Sequence, residues 1–158
     1  MSFKNGSDLV QSFVMRRPRA IVCDDDGVIL FYYTRILKAE GYEVVSADSP
    51  TMCAFYEGNS KSCPLNARCA DLIITGNDMP GMSGIELFET QHLGGCKLTS
   101  QNKALITGNR SPMLKKRAEA LGSQLFLKPL SLSTLLAWLK ECQGRIDLSE
   151  PLASSLSL

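Results

Sequence analysis

Acidic, hydroxyl and basic side chains occur where short apolar runs of the chain end. Asp24 and Asp25 directly follow one run, Thr107 closes another, and Lys128 follows a third and precedes Pro129. Adjacent carboxylates repel each other unless a cation or a cationic side chain lies close. The residue types alone therefore allow either a cation-paired acidic cluster or a solvated acidic cap on a following helix.

The apolar runs alternate with helical patterns, which predicts five consecutive strand–helix units. The strands are apolar throughout, as expected when helices cover both faces of a sheet. We expect an α/β fold: a five-stranded parallel, doubly wound sheet with five helices in three αβα layers. The predicted strands are residues 20–23, 42–46, 72–75, 104–107 and 124–127, and the predicted helices are residues 27–40, 50–58, 85–92, 112–121 and one capped by Ser131.

In such a fold, ligands bind at the carboxyl ends of the strands. Asp24 and Asp25 follow the first predicted strand, Gly76 the third, Thr107 closes the fourth, and Lys128 follows the fifth. The topology therefore predicts that these residues meet at one edge of the sheet.

This arrangement resembles the receiver domain of bacterial two-component response regulators (CheY-like). The resemblance rests on Asp24-Asp25, on the turn Asn77-Asp78-Met79-Pro80-Gly81 after a buried strand, on Thr107-Gly108 and on Lys128-Pro129. It spans about residues 19–145, between an N-terminal extension at 1–18, with a pattern typical of a short helix, and a tail at 146–158. The phosphoacceptor aspartate of the family is replaced here by Gly76, which indicates a degenerate receiver.

The resemblance implies a metal pocket. In the family, acidic residues at the positions of Asp24 and Asp25 hold Mg²⁺ together with the missing carboxylate, so we expect weak Mg²⁺ binding, partly compensated by Asp78, and no required cofactor. We expect Lys128 to pair with Asp25 or Asp78. Gly76 permits a positive φ and leaves room for water or a small anion.

It also implies a remnant phosphate pocket of Gly76, Asn77, Thr107, Gly108 and Lys128, with a cis bond before Pro129. The family's switch hydroxyl matches Thr107. Its mobile aromatic residue is replaced by Leu125, which has no ring to move. A permanently set output face is therefore the expected behaviour.

An alternative is phosphorylation at Asp78 or Asp25. In-line attack needs a cation on the phosphoryl oxygens, and a misplacement of about 1 Å can cost roughly a hundredfold in rate. Asp78 lies two residues beyond Gly76, where successive Cα atoms are about 3.8 Å apart. The preferred hypothesis is a stand-alone, phosphorylation-independent receiver that acts by protein–protein contact and is not an enzyme.

Cysteines mark a long connection after the second predicted helix. The spacing of Cys53, Cys63 and Cys69 matches neither a zinc site nor a CxxC redox pair, so independent thiols are the first interpretation. A Cys63–Cys69 disulfide is the alternative. A sensor of redox state or of a small anion is the third functional hypothesis.

The last predicted helix carries a core stripe of Leu132, Leu135, Leu136 and Leu139. Trp138 lies about 100° from that stripe, so it is expected at the flank of the core, either as a partner anchor or beneath a terminal segment. The resemblance points to the fourth helix, fifth strand and fifth helix, with Leu125 and Trp138, as the output face for a signalling partner (a histidine kinase, another regulator or an effector) or a homodimer.

Composition and net charge limit the kinds of partner that the chain is expected to bind. The 158 residues carry a formal net charge of +1 and 21% charged residues, which argues against a basic nucleic-acid-binding surface. No apolar run is long enough for a membrane span, and no signal peptide is recognised. Six cysteines without a secretory signal are expected to be reduced thiols in the cytoplasm.

Overall fold

A computed structural model describes residues 15–58 and 60–154. Its centre is a parallel sheet of five strands in the order β2-β1-β3-β4-β5. The strands are β1 (Arg19–Cys23), β2 (Glu43–Ala47), β3 (Leu72–Gly76), β4 (Lys103–Thr107) and β5 (Gln124–Leu127). The predicted sheet is therefore confirmed, and the first β-strand lies between the second and third as in a doubly wound fold.

In these described residues there are four α-helices, whereas the sequence predicted five. They are α1 (Gly27–Ala39), α2 (Gly84–Leu93), α3 (Pro112–Leu121) and α4 (Leu132–Gln143). The helix predicted over 50–58 is wrong. That segment consists of turns that end in a short 3₁₀ helix, Tyr56–Gly58.

The 50–58 segment is too short to pay for helix nucleation from its own hydrogen bonds. Its backbone bonds span three residues, from Cys53 N to Pro50 O and from Tyr56 N to Cys53 O. Phe55 and Tyr56 are buried against Leu87 of α2, so tertiary packing fixes the segment in this compact form.

The helix ends follow ordinary capping chemistry. Asp26 accepts hydrogen bonds from the first turn of α1, and Ser131 accepts one from Thr134 N at the start of α4. Ser83 begins α2 with a capping box. Ser111 precedes α3 as predicted, but its side chain makes no capping bond. Four of the five strands, β1, β3, β4 and β5, thus pass into a helix through a polar turn at the carboxyl edge of the sheet.

Two apolar layers enclose the sheet. One face packs under α1 and α4, and the other under α2 and α3. Strands β3 and β4 are buried along their whole length. This is the burial expected of central parallel strands.

The core stripe of α4 is rotated relative to the prediction. Leu135, Trp138, Leu139 and Cys142 are buried, whereas Leu132 is exposed. Trp138 is 4% exposed and meets Phe126 edge-on, with ring centroids 5.7 Å apart. The prediction of Trp138 as an exposed anchor on the output face is wrong, because the spacing i, i+3, i+4, i+7 that begins at Leu135 faces the sheet.

The segments that precede and follow the sheet domain meet at the amino edge of the sheet. Ala153 N donates to Arg68 O at 2.8 Å, and Arg19 Nη1 donates to Ala153 O at 3.1 Å. The described part of the C-terminal tail is therefore docked on the sheet domain. The proposed helix within residues 1–14 lies outside the described residues. No described helix has the length and apolar character to cross a membrane.

Candidate functional site

The carboxyl ends of four neighbouring strands bring the predicted polar residues together. Cys23 is in register with Thr75, Gly76 with Ile106, and Thr107 with Leu127. Asp24 and Lys128 follow the two outer members of this set. We call the group of Asp24, Gly76, Asp78, Thr107 and Lys128 the carboxyl-edge pocket.

Asp24 is the buried acid of the pocket, with 4% of its surface exposed. Its Oδ1 accepts a hydrogen bond from Asp26 N at 2.9 Å, and its Oδ2 lies 3.9 Å from Lys128 Nζ. Burial raises the pKa of the Asp24 carboxyl, while the Asp26 amide and the Lys128 charge act in the opposite direction. Asp24 is therefore a carboxylate whose charge is only partly compensated.

Gly76 lies at the buried end of β3, with its Cα facing the Asp24 carboxylate. A Cβ placed on Gly76 would lie 3.1 Å from Asp24 Oδ2. Its φ is not in the left-handed region, so the positive φ that glycine permits is not used here. An L-residue fits this backbone with a small shift of Asp24, and glycine removes a side chain without giving the chain a special conformation.

The turn after Gly76 is held mainly by Asn77. Asn77 is buried; its carbonyl oxygen accepts from Gly84 N at 2.9 Å, and its Oδ1 accepts from Ile85 N at 3.1 Å. These bonds fasten the turn to the start of α2. Asn77 thus has a structural role, and its carbonyl is already engaged by backbone amides.

Asp78 is exposed, and its carboxylate is directed to β4. Thr107 Oγ1 donates to Asp78 Oδ2 at 3.3 Å, and Asn77 Nδ2 lies 3.5 Å from the other carboxylate oxygen. The Thr107 hydroxyl also accepts from Asn109 N at 3.1 Å. The switch-position hydroxyl therefore has an internal carboxylate as its acceptor.

Lys128 precedes a cis peptide bond to Pro129, as the resemblance implied. Its amide donates to Thr107 O at 2.9 Å, which fixes it beside β4. The expected pairing of Lys128 with Asp25 or Asp78 is wrong, since its ion-pair partner is Asp24. Asp25 is exposed, and Asp78 is turned to Thr107.

The donor set does not fit Mg²⁺, which prefers octahedral oxygen coordination. Of the predicted ligands, Asp24 faces the pocket, Asp25 is exposed, and Asp78 is bound to Thr107. In the described part of the chain, no group of three or more carboxylate, thiol or imidazole side chains is arranged to hold a metal ion. An ammonium group, Lys128, is instead the cation closest to Asp24.

The remaining predicted residues lie around this pocket. Gly108 is exposed directly after β4. Leu125 is half-buried and packs against the α2–α3 side of the core. It therefore belongs to the core rather than to a movable surface group.

Sequence reasoning missed Lys103, which is buried at the start of β4, away from the carboxyl edge. A lysine directly before the predicted apolar strand 104–107 was the available signal. It also missed Asp71, whose carboxylate at the amino edge of the sheet binds Arg16 through two hydrogen bonds.

The sequence of this chain is similar to that of a known response regulator. No protein-family profile matches the chain. The two-component response regulator ARR17 of Arabidopsis thaliana is 28% identical over 134 residues, which covers 82% of this chain and 87% of ARR17.

Solved structures share the same fold. The signal receiver domain of an HD domain-containing protein from Pseudomonas fluorescens Pf-5 is 26% identical with a TM-score of 0.66, covering 84% of this chain and 90% of that one. A CheY-like receiver domain protein from Methanospirillum hungatei JF-1 is 27% identical with a TM-score of 0.62, covering 82% and 96%. In its doubly wound sheet and in the lysine before a cis-proline at the carboxyl edge, the chain is similar to response-regulator receiver domains of the CheY-like type.

Proposed function

We propose that this receiver domain acts in two-component signalling by phosphorylation-independent protein–protein contact, without enzymatic activity of its own. The observation that carries the proposal is the state of the carboxyl-edge pocket. Gly76 supplies no acceptor, and the groups that would meet a phosphoryl group are already engaged within the protein: Thr107 with Asp78, and Lys128 with Asp24.

The Asp78–Thr107 hydrogen bond supports a fixed state. A carboxylate oxygen accepts the Thr107 hydroxyl at 3.3 Å, so this hydroxyl has an anionic acceptor without any phosphoryl group. Leu125 packs against the core and has no ring to change position. Both features favour one permanent arrangement of the strands β4 and β5 over a switch.

An exposed apolar group beside the pocket gives the proposal a contact surface. Met113 on α3, Leu127 at the end of β5 and Leu132 at the start of α4 are large apolar side chains exposed to solvent. Leu127 ends β5, and Met113 and Leu132 lie in the first turns of the helices that follow the neighbouring strands β4 and β5. All three therefore lie at the carboxyl edge of the sheet. Together these residues replace Trp138 and Leu125 as the candidate output face.

The proposed partner is a signalling protein: a histidine kinase, another regulator or an effector. A second copy of this chain is the alternative occupant of the same face. Six free thiols suit a reducing compartment, so the proposal places the domain in the cytoplasm.

The decisive experiment offers a phosphoryl donor. The chain is incubated with Mg²⁺ and acetyl phosphate, and intact mass is followed; no adduct of about 80 Da is expected. A stable adduct would overturn the proposal in favour of phosphorylation at a non-standard aspartate. In that event D78N and D25N, a matched pair of exposed carboxylates, would identify the acceptor.

A gain-of-function variant completes the test. In Gly76→Asp the new carboxylate points at Asp24, because the Cβ of residue 76 would lie 3.1 Å from Asp24 Oδ2. We expect this variant to acquire Mg²⁺-dependent phosphorylation, with Gly76→Ala as the control without a carboxylate. A Gly76→Asp variant that folds but stays unmodified would show that more than the acceptor has been lost.

A further inference from the structure

The helix α1 is apolar around most of its circumference. Its inner side packs on the sheet through Tyr33 and Leu37, which are buried. Its outer side carries Val28, Phe31 and Tyr32, whose exposed fractions are 79%, 65% and 47%. A surface helix normally presents polar side chains to solvent, so packing on the core does not account for the apolar outer side of α1.

The exposed residues form one continuous stripe along the helix. Their spacing is i, i+3, i+4 and i+7, which places them within about 100° of the helix circumference. They are Val28, Phe31, Tyr32 and Arg35, and we call them the α1 stripe. The Arg35 guanidinium lies 5.6 Å from the centre of the Phe31 ring, and the Tyr32 ring meets Tyr33 edge-on at 5.5 Å. Contacts within the helix therefore hold both exposed rings, and Phe, Tyr and Arg are residue types enriched in protein interfaces.

The charges at the two ends of the α1 stripe are opposite in sign. Asp25 and Asp26 are exposed at the amino end of the helix, whereas Arg35 and Lys38 are exposed near its carboxyl end. Glu40 caps the helix beyond this basic pair. A parallel copy of the helix would face acid with acid and base with base. An antiparallel copy brings an acidic end onto a basic end twice, so the charge distribution favours an antiparallel pair.

One antiparallel register matches the stripe along its whole length. In it, a two-fold axis passes between Phe31 and Tyr32. The facing pairs, each with one residue from either copy, are then Phe31 with Tyr32, Val28 with the aliphatic part of Arg35, and Asp25 with Lys38. Each pair occurs twice, as a two-fold interface requires. The stripe is thus complementary to itself in both apolar contact and charge.

We propose that two copies of this chain associate through the α1 stripe, as an antiparallel helix pair around a two-fold axis. The aromatic centre of the stripe supplies the apolar area that is removed from water, and the charged ends fix the direction and register. A single helix pair buries less area than a standard interface. We therefore expect a weak dimer, with a dissociation constant in the micromolar range.

The α1 stripe is separate from the candidate output face. The helix α1 packs beside β1 and β2, on one side of the sheet. Met113, Leu127 and Leu132 lie in or after β4 and β5, on the other side. A dimer through α1 leaves that face free and presents two copies of it to a signalling partner. The inference goes beyond the proposed function and does not depend on it.

The first test follows the full chain by sedimentation velocity over a series of concentrations. We expect the average mass to rise from one chain towards two within the micromolar range. Phe31→Glu places an acid in the apolar centre at both symmetry-related positions and should weaken association at least about a hundredfold. Leu93→Glu, a matched change at an exposed apolar residue of α2, should dimerise like the wild type. A monomer at every concentration, or a Phe31→Glu protein that dimerises as well as the wild type, would overturn the proposal.

The second test exchanges the charges at the ends of the stripe. Asp25→Lys alone and Lys38→Asp alone each set like charges opposite each other at both ends, so each variant should form a weaker homodimer. A mixture of the two variants again sets opposite charges against each other at both ends. The mixed dimer should therefore form about tenfold more tightly than either homodimer.

A second pair of variants controls for net charge. Lys115→Asp and Glu119→Lys change exposed residues of α3, outside the stripe, and alter the net charge by the same amounts. Their mixture should associate no more tightly than the wild type. If the mixture of the α1 variants gains no more than this control mixture, the antiparallel register is wrong and the proposal fails.

Discussion

Two aspartates are buried at opposite edges of the same sheet, and their surroundings differ sharply. Asp71, 2% exposed at the amino edge, accepts hydrogen bonds from Arg16 Nη1 at 2.7 Å, Arg16 Nη2 at 2.8 Å and Arg19 N at 2.8 Å. Asp24, 4% exposed at the carboxyl edge, has one backbone amide and an ammonium group 3.9 Å away. Equal burial therefore comes with very unequal compensation of charge.

This contrast separates a structural edge from a candidate functional one. At the amino edge, Arg16 joins Asp71 to the carbonyl of Asp147, so the carboxylate ties two chain segments to the sheet. At the carboxyl edge, the incompletely paired Asp24 faces the space left by Gly76. Poorly compensated charged groups concentrate at functional sites, so Asp24 makes the carboxyl edge the candidate functional edge.

The largest expected effect comes from breaking the well-paired aspartate. Asp71→Asn removes the charge that pairs with the mostly buried Arg16 and should lower the free energy of unfolding by about 3 kcal/mol. Urea denaturation monitored by circular dichroism measures it. A loss below about 1 kcal/mol would mean that the amino-edge pair contributes little.

The matched change at the other edge should have the opposite sign. Asp24→Asn keeps an oxygen for the Asp26 amide and removes a buried, undercompensated charge, so we expect stabilisation on the order of 1 kcal/mol. The same urea titration at pH 7 applies. If Asp24→Asn were as damaging as Asp71→Asn, the two aspartates would be equivalent and the contrast would fail.

The pH dependence of stability should distinguish the wild type from Asp24→Asn. Burial raises the pKa of Asp24 in the folded state, so the contribution of this group is fully present below about 3.9, its unfolded-state value. It is lost as pH rises through the raised folded-state pKa. The stability difference between the two proteins should therefore grow from pH 4 towards neutral pH and then level off; a difference independent of pH would contradict the assignment.

The smallest effect is expected for the ammonium beside Asp24. Lys128→Gln removes an ion pair at 3.9 Å whose lysine side chain is 37% exposed, so the free energy of unfolding should change by less than about 0.5 kcal/mol. Thermal unfolding against the wild type checks it. A loss of about 2 kcal/mol would instead place Lys128 and Asp24 in a strong buried pair.

Sequence patterns predicted those features that depend on near neighbours along the chain. The continuous apolar runs specified central parallel strands, and the residues that follow them had to meet at one edge. The prediction of a helix over 50–58 failed because packing of this segment against α2 outweighed its weak helical preference. The predicted placement of Trp138 failed because a leucine-rich helix has more than one apolar stripe, and contact with Phe126 selected the stripe that is buried.

The sequence by itself determined the parallel sheet, the order of the polar residues at its carboxyl edge and the glycine at position 76. Only the tertiary structure decided that Asp78 accepts from Thr107, that Lys128 lies beside Asp24, and that the buried Lys103 donates to Gln91. Strand formation follows from local periodicity, whereas a hydrogen bond or ion pair requires an approach of a few ångströms between side chains from distant segments. Such distances are set by how the layers pack, and that packing is a property of the whole fold.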